Sequence, residues 1–181
     1  MSPPPERRFT RIASTPIWSG RIVSVTRDRF RFADGHEVER EIVHHPGAVG
    51  IVAHDQAHVL LVRQPRPAVG DPDALEIPAG KLDVAGEPPL ATARRELAEE
   101  IGCAAGRWEP ILDYCTSIGV FDEVVHLFHA TELRDARAKA EEDERIEVVR
   151  WPLDDLGGAL AATRDSKTLI GLMWLRERLR G

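Results

Sequence analysis

The spacing of hydrophobic positions changes along the chain, and the changes mark out its elements. From Phe9 to His45 the pattern is extended. Residues 22–25, 29–32 and 38–43 alternate or are rich in Val, Ile and Phe, and Asp34-Gly35 between the last two is a hairpin signal. Residues 48–53 and 58–63 are short unbroken apolar runs separated by His54-Asp55-Gln56-Ala57, a pattern that suits strands buried on both faces. Residues 65–72 read as a turn-rich loop and 74–78 as a short strand, with a loop opening at Gly80. The clearest helix is predicted over 88–101: Pro88 and Pro89 fit its first turn, Gly102 stops it, and Leu90, Ala93 (or Arg94), Leu97 and Ile101 form a stripe at helical spacing. Further strands are expected at 111–115, 123–130 and 146–151, a polar segment at 134–145, and helices at 152–163 and 166–180. No internal repeat is present.

Alternating strands and helices imply a mixed α/β fold. The expected organisation is a loose tail over 1–8, with three prolines and three charges, a β arm over 9–45 that could serve in dimerisation, and a main domain over 46–181. The 181 residues, 43% hydrophobic and 30% charged, suit one domain with a small arm and argue against a collagenous or wholly disordered chain. A net charge of −6 argues against a nucleic-acid partner, which needs clustered positive charge, but leaves room for a small phosphate ligand. No apolar run approaches the ~18–20 residues of a membrane span, and no apolar stretch follows the first arginines as in a secretory signal. The expectation is a cytoplasmic protein with no membrane partner, in which Cys103 and Cys115 are reduced thiols. There is no P-loop at Gly80-Lys81, no Gly-x-Ser-x-Gly elbow and no His-Glu-x-x-His.

Glu96, Glu99 and Glu100 share the predicted helix, and residues three or four apart are neighbours on its surface. Carboxylates packed in this way repel unless a cation compensates, and oxygen-only ligands suit Mg²⁺ or Mn²⁺ rather than Zn²⁺. Taken alone, the cluster reads first as a solvated acidic helix edge, since charge runs usually face water.

The flanking residues decide between the two. Gly80-Lys81-Leu82-Asp83-Val84-Ala85-Gly86-Glu87 is followed, seven residues on, by Arg95-Glu96-Leu97-Ala98-Glu99-Glu100-Ile101-Gly102-Cys103. This resembles the Nudix box, with one departure: six residues rather than five separate Gly80 from Glu87, in the loop before the helix. The resemblance implies an α/β/α sandwich around a mixed sheet, preceded here by the N-terminal antiparallel β arm. It implies hydrolysis of a nucleoside diphosphate derivative with Mg²⁺, for which Mn²⁺ can substitute. Glu96, Glu99 and Glu100 would bind metal, Glu99 as a ligand or through metal-bound water, together with the carbonyl of Ala79. Arg95 would pair with Glu87 and hold the helix against its loop.

Residues 64–80, with Gln64-Pro65-Arg66 and Glu76-Ile77-Pro78-Ala79-Gly80, look like the ADP-ribose pyrophosphatase subgroup, with Pro65 in place of an aromatic. By that resemblance Arg66 and Glu76 belong to the substrate side, although Arg66 can also be read as a surface arginine. Glu142-Asp143-Glu144 before the strand at 146–151 is similar to that subgroup's acidic loop. It implies Glu142 as general base and Glu144 as a metal partner, with Glu141 a competitor and a solvated loop the alternative. The catalytic set is then Glu142, Glu99 and Arg95. In the loop 116–123, Gly119, Asp122 and Glu123 keep the subgroup's look, with Gly119 on the substrate side, but Ile118 stands where a proline is usual. The N-terminal strands also match: Trp18 could stack on an adenine or pack in an interface, and Arg40 could contact a phosphate or ribose. The implied function is Mg²⁺-dependent cleavage of ADP-ribose to AMP and ribose 5-phosphate by a homodimer. The alternatives are another nucleotide sugar or a dinucleotide as substrate, or a non-catalytic nucleotide-sugar binding module. Such a module would be expected to have lost box glutamates, and this chain keeps them all.

Overall fold

The structure is a computed structural model that describes residues 8–136 and 145–181. They form a mixed α/β fold in two compact units, one made of the described residues up to Gly47 with Cys115–Val124, the other of Ala48–Tyr114 and the described residues from Val125 onward.

The first unit is a three-stranded antiparallel sheet, in the order β1 (Phe9–Ser19), β2 (Ser24–Phe32), β3 (Glu37–His44). The β2–β3 turn forms at Asp34-Gly35 as expected, with Asp34 Oδ1 accepting the His36 N–H at 2.9 Å. β2 is continuous where two shorter runs were expected, because Asp28, polar by sequence, is buried within it. The Asp28 carboxylate accepts hydrogen bonds from Ser14 at 2.6 Å and Arg11 at 3.2 Å, which makes its burial tolerable. Pro16 lies at a register shift in the edge strand β1, where a missing N–H does least harm. The segment Cys115–Val124 belongs to the same unit. The Val43 N–H donates to the Val120 carbonyl at 2.8 Å, and His44 Nδ1 hydrogen-bonds Asp122 Oδ2 at 2.6 Å.

The second unit is built on a mixed sheet of β4 (Ala48–His54), β5 (His58–Arg66), β6 (Asp71–Glu76), β7 (Ala79–Lys81), β8 (Cys103–Cys115), β9 (Val124–Asp135) and β10 (Glu147–Pro152). The order is β10-β5-β4-β9-β8, with β6 on β5 and β7 on β4; β4 runs parallel to β9 and antiparallel to β5. The helices are α1 (Pro89–Ile101), α2 (Leu156–Ala162) and α3 (Ser166–Arg178).

Both faces of this sheet are buried, as the unbroken apolar runs require. Val49, Ile51, Ala53, Leu60, Phe128 and Ala130 cluster with Ala93 and Leu97 of α1. The alternate residues Val52, Val59, Leu61, Val125 and Leu127 cluster with Leu156 and Ala159 of α2 and Leu172 and Leu175 of α3. The period-two alternation of a strand sends neighbours to opposite helical layers. Leu97 and Leu175 are fully buried, each removing an apolar side chain from water for roughly 1.5–3 kcal/mol.

The central strands of this sheet part company. β4 and β5 pair directly only at Ala53–Leu60 and His54–Val59, beside their hairpin. Farther along they diverge: β4 pairs with β7 through Ala48–Gly50, and β5 with β6 through Val62–Arg66. The Ile51 N–H donates to the Pro78 carbonyl at 2.9 Å. The stretch Glu76–Gly80 therefore crosses the fork between the two strands.

Several expected boundaries shift. The loop at 65–72 shrinks to a 3₁₀ turn, Pro67–Val69. Gly80 lies inside β7 instead of opening a loop, because β7 is short and borrows its pairing from β4. β8 starts at Cys103, well before 111, its first half lacking an unbroken apolar run. The expected helix at 152–163 splits: Pro152 ends β10, a 3₁₀ turn covers Leu153–Asp155, and Asp155 caps α2 by accepting the Gly158 N–H at 3.0 Å. No helix among the described residues is long and apolar enough to cross a membrane.

At one end of the sheet, His129 of β9 is 8% exposed and its Nε2 lies 2.9 Å from Nε2 of His54 at the end of β4. Trp174 of α3 packs against the His129 ring at 5.0 Å, and Glu109 of β8 lies 3.7 Å from its Nδ1 while also pairing with Arg178. Burial first, then the neighbouring charges of His54 and Arg178, push the His129 imidazole down to about 4, against the opposing effect of Glu109. The unfolded imidazole takes up a proton near pH 6.5, the folded one only near 4. The unfolded state thus binds more protons between these values, and folding stability falls as pH drops through that window. Thermal midpoints measured from pH 7 to pH 4 should show this fall in the wild type and a shallower one in His129→Phe; equal slopes would contradict it.

Candidate active site

Helix α1 owes its ends to local chemistry. Pro89 occupies its first turn, and Gly102 closes it at φ 72°, its N–H returning to the carbonyls of Ala98 and Leu97. Ala93 and Leu97 are buried against the sheet, with Leu90 and Ile101 partly buried beside them, so the predicted stripe is the face that packs. Docking by this stripe carries Glu96 and Glu100 to the strand β7.

The approach is close. The Ala79 N–H donates to Glu100 Oε2 at 3.0 Å. Gly80 lies so near Glu96 that a Cβ there would overlap the Glu96 carboxylate and push it from its place, so glycine here leaves the room in which that carboxylate sits. Arg95 organises the other side. Its Nη1 lies 2.8 Å from Glu96 Oε1 and 2.9 Å from Glu99 Oε2, and its Nη2 lies 3.3 Å from Glu87 Oε2. Thr92 donates its hydroxyl to the same Glu87 oxygen at 2.8 Å. The Thr92 hydroxyl, and then Arg95, hold the Glu87 carboxyl below its usual range. Burial works against the charge of Arg95, but Glu87, Glu96 and Glu99 outweigh it, and the guanidinium stays protonated.

Glu96, Glu99, Glu100, Arg95 and Ala79 are thus brought together. The carboxylates do not converge on one centre among the described residues: Arg95 holds Glu96 and Glu99, and Glu100 bonds a backbone amide. The donor chemistry nonetheless fits a hard divalent cation. Carboxylate oxygens from one turn of helix lie against the peptide of Ala79, and Arg95 spreads one positive charge over Glu87, Glu96 and Glu99.

A second ionic group lies at the other end of the crossing segment. Arg66, at the end of β5, grips Glu76 with Nε at 2.5 Å and Nη2 at 2.8 Å. Lys167 Nζ reaches the same carboxylate at 2.7 Å and Asp165 Oδ1 at 2.8 Å. Glu76 is 2% exposed. Burial raises its pKa, but Arg66 and Lys167 outweigh that, and it is held below the ordinary carboxylate value. Glu76 therefore lies behind Arg66, while the Arg66 side chain keeps 42% of its surface exposed.

The other predicted residues belong to the first unit or fall outside the described residues. Arg40 of β3 and Gly119 line one cavity of about 540 Å³ in the first unit, together with Phe9, Phe30, Phe32 and Phe121. Trp18 of β1 is exposed and covers Gly20. Glu141, Glu142 and Glu144 lie outside the described residues.

Sequence reasoning missed Lys167, Asp165 and Thr168. A lysine in the first turn of a helix opposes the helix dipole. Together with the Asp165 cap, that placement was the available signal of an acidic partner.

Removing the Arg95 charge leaves Glu87, Glu96 and Glu99 repelling one another. Arg95→Gln should lower the thermal midpoint at low ionic strength. Part of that loss should return with added salt, which screens like charges, and more with a divalent cation. A loss insensitive to both would show that Arg95 acts through packing alone.

An ADP-ribose pyrophosphatase of Mycobacterium tuberculosis is 42% identical over 148 residues, covering 81% of this chain and 71% of that protein. An ADP-ribose pyrophosphatase of Bacillus subtilis is 38% identical over 170 residues, covering 91% of each. A solved structure described as an ADP compounds hydrolase superposes with a TM-score of 0.84 at 23% identity, covering 97% of this chain and 96% of that one, and so shares the fold. The family model of the NUDIX domain matches residues 43–170, which include the Glu87–Arg95 clasp and the acidic turn of α1, and the chain belongs to the Nudix family.

Proposed function

We propose that this chain is a Nudix pyrophosphohydrolase that cleaves ADP-ribose to AMP and ribose 5-phosphate with Mg²⁺, or Mn²⁺ in its place. The observation that carries the reading is the docking of Glu96 and Glu100 onto Ala79-Gly80, with Glu99 alongside and Arg95 clasped to Glu87. The relatives named as ADP-ribose pyrophosphatases support the substrate.

A divalent cation held by Glu96, Glu99, Glu100, the Ala79 carbonyl and Glu144 would offset the charge of the diphosphate and lower the pKa of water. The protein's own groups supply the rest. Arg95 and Glu87 keep the acidic turn in place. Arg66 offers the substrate phosphates the guanidinium edge that Glu76 leaves free. Glu142 is the base that takes the proton from the attacking water. Arg40, Gly119 and Trp18 serve the nucleoside end. The exposed Phe9, Ile12, Ile17 and Trp18 of β1 support a homodimer built on the N-terminal sheet, since a small sheet with bare apolar side chains is marginal alone. Ile118 is 90% exposed where the subgroup usually has proline, which favours, as a second reading, another nucleotide sugar or a dinucleotide.

Hydrolysis of a panel of ADP-ribose, other nucleotide sugars, dinucleotides and nucleoside triphosphates tests the assignment. ADP-ribose should turn over fastest, triphosphates poorly, and chelation should abolish turnover. Triphosphates as the best substrates, or full turnover without divalent metal, would overturn it.

Glu142→Gln should leave KM near normal and slow kcat by roughly two to four powers of ten, the usual worth of a general base. Near-normal kcat in this variant would move the base to Glu99 or Glu141. Light scattering at micromolar concentration should give twice the chain mass of 20.1 kDa; a fully active monomer would contradict the dimer.

A further inference from the structure

Lys167 is a largely buried cation that the box chemistry does not use. Its side chain is 16% exposed, and its Nζ bridges Glu76 Oε2 and Asp165 Oδ1. It also sits in the first turn of α3, where the helix dipole disfavours positive charge. Placing a lysine there costs free energy that its contacts must offset.

Those contacts form a closed path. Arg66 holds Glu76 through both carboxylate oxygens. Lys167 holds one of the same oxygens, the Oε2 that Arg66 Nη2 also bonds. Asp165, which neutralises Lys167, caps α3 by accepting the Thr168 N–H at 2.9 Å and the Thr168 hydroxyl at 2.6 Å. The Thr168 Oγ in turn accepts the Ile77 N–H at 2.8 Å, one residue from Glu76. Nearby, the Thr163 hydroxyl donates to the Leu75 carbonyl at 2.7 Å. The start of α3 is therefore stitched to Leu75-Glu76-Ile77, the segment that leads to Ala79 and Gly80.

The charges are matched in pairs: Arg66 and Lys167 against Glu76 and Asp165. Glu76 would be expensive to bury without both cations. The bidentate grip also determines how Arg66 lies. Its Nε and Nη2 are spent on Glu76, which leaves the Nη1 side of the guanidinium available. Arg66, Glu76, Arg164 and Lys167 line one cavity of about 500 Å³. The charge of Glu100, a proposed metal ligand, is felt at Arg66.

We propose that Lys167 is a positioning residue for the reaction: by pinning Glu76, it fixes the Arg66 guanidinium in the orientation that binds the diphosphate of the substrate. The inference rests on the hydrolase reading and on Arg66 as its phosphate contact. Without Lys167, Glu76 keeps one cation and gains freedom to rotate toward it, and the free edge of Arg66 moves with it. Lys167 itself touches no substrate.

The test is a double-mutant cycle on the full-length protein, with ADP-ribose as substrate and saturating Mg²⁺. Arg66→Gln should raise KM by about ten- to a hundredfold, the scale of a lost hydrogen bond to a charged group. Lys167→Met should raise KM by about tenfold with kcat within about twofold, and Lys167→Arg should restore KM. In the Arg66→Gln background, Lys167→Met should add nothing further to KM while still lowering the thermal midpoint. If Lys167→Met does not fold, Lys167→Gln takes its place in the cycle. A normal KM in the lysine variants beside a raised KM in Arg66→Gln overturns the inference and leaves the hydrolase reading standing. Additive KM effects, or lost stability with unchanged KM, reduce Lys167 to a structural residue. A normal KM in Arg66→Gln removes the phosphate role of Arg66 and this inference with it, whereas absence of wild-type turnover removes the hydrolase reading.

Discussion

The contact on which the rest depends is the one between the acidic turn of α1 and the backbone of β7. A helix with Glu96, Glu99 and Glu100 within five residues carries self-repulsion that favours solvent. Here it is drawn to the sheet by Ala93 and Leu97, fully buried beneath it. The approach succeeds because Gly80 presents no side chain to Glu96, the Ala79 amide bonds Glu100, and Arg95 spans Glu87, Glu96 and Glu99. Hydrophobic docking thus supplies the free energy that gathers the charges, and glycine supplies the room.

The sheet makes that contact possible by dividing. If β4 and β5 stayed paired along their whole length, no backbone would be left to receive α1's carboxylates. Because they part after Ala53–Leu60 and His54–Val59, the segment from Glu76 to Gly80 crosses the gap. Its two ends meet two ionic groups: Glu76 joins Arg66 and Lys167, and Ala79-Gly80 meets the acidic turn. Helix α3, through Thr168 and Lys167, holds this crossing from the other side. The carboxylates proposed to bind metal and the arginine proposed to bind phosphate are thereby referred to a single short stretch of backbone.

Much of this is legible in the sequence. The stripe over α1 and the unbroken apolar runs of β4 and β5 report directly on burial, the dominant driving force of folding. The box residues are recognised by resemblance, because Gly80, Glu87, Arg95, Glu96, Glu99 and Glu100 stand in the family's order, whereas the spacing of the acidic cluster alone does not name its chemistry. What is not legible depends on contacts distant in sequence. β7 exists through its pairing with β4, and β2 is continuous because Ser14 and Arg11 satisfy Asp28. The Lys167–Glu76 pair joins residues 91 positions apart, which no local pattern encodes. Glu76 is expected at the substrate and lies behind Arg66, because two cations at its carboxylate let it be buried.

The most direct test of the central claim measures metal binding apart from turnover. Free Mn²⁺ can be titrated by electron paramagnetic resonance into the wild type, Glu96→Gln and Glu100→Gln, without substrate. The account predicts saturable binding to the wild type and affinity weakened by about tenfold or more in both variants, since each loses an anionic donor while the packing of Ala93 and Leu97 is kept. Equal Mn²⁺ affinity in all three proteins would contradict it and return the acidic turn of α1 to a solvated helix edge.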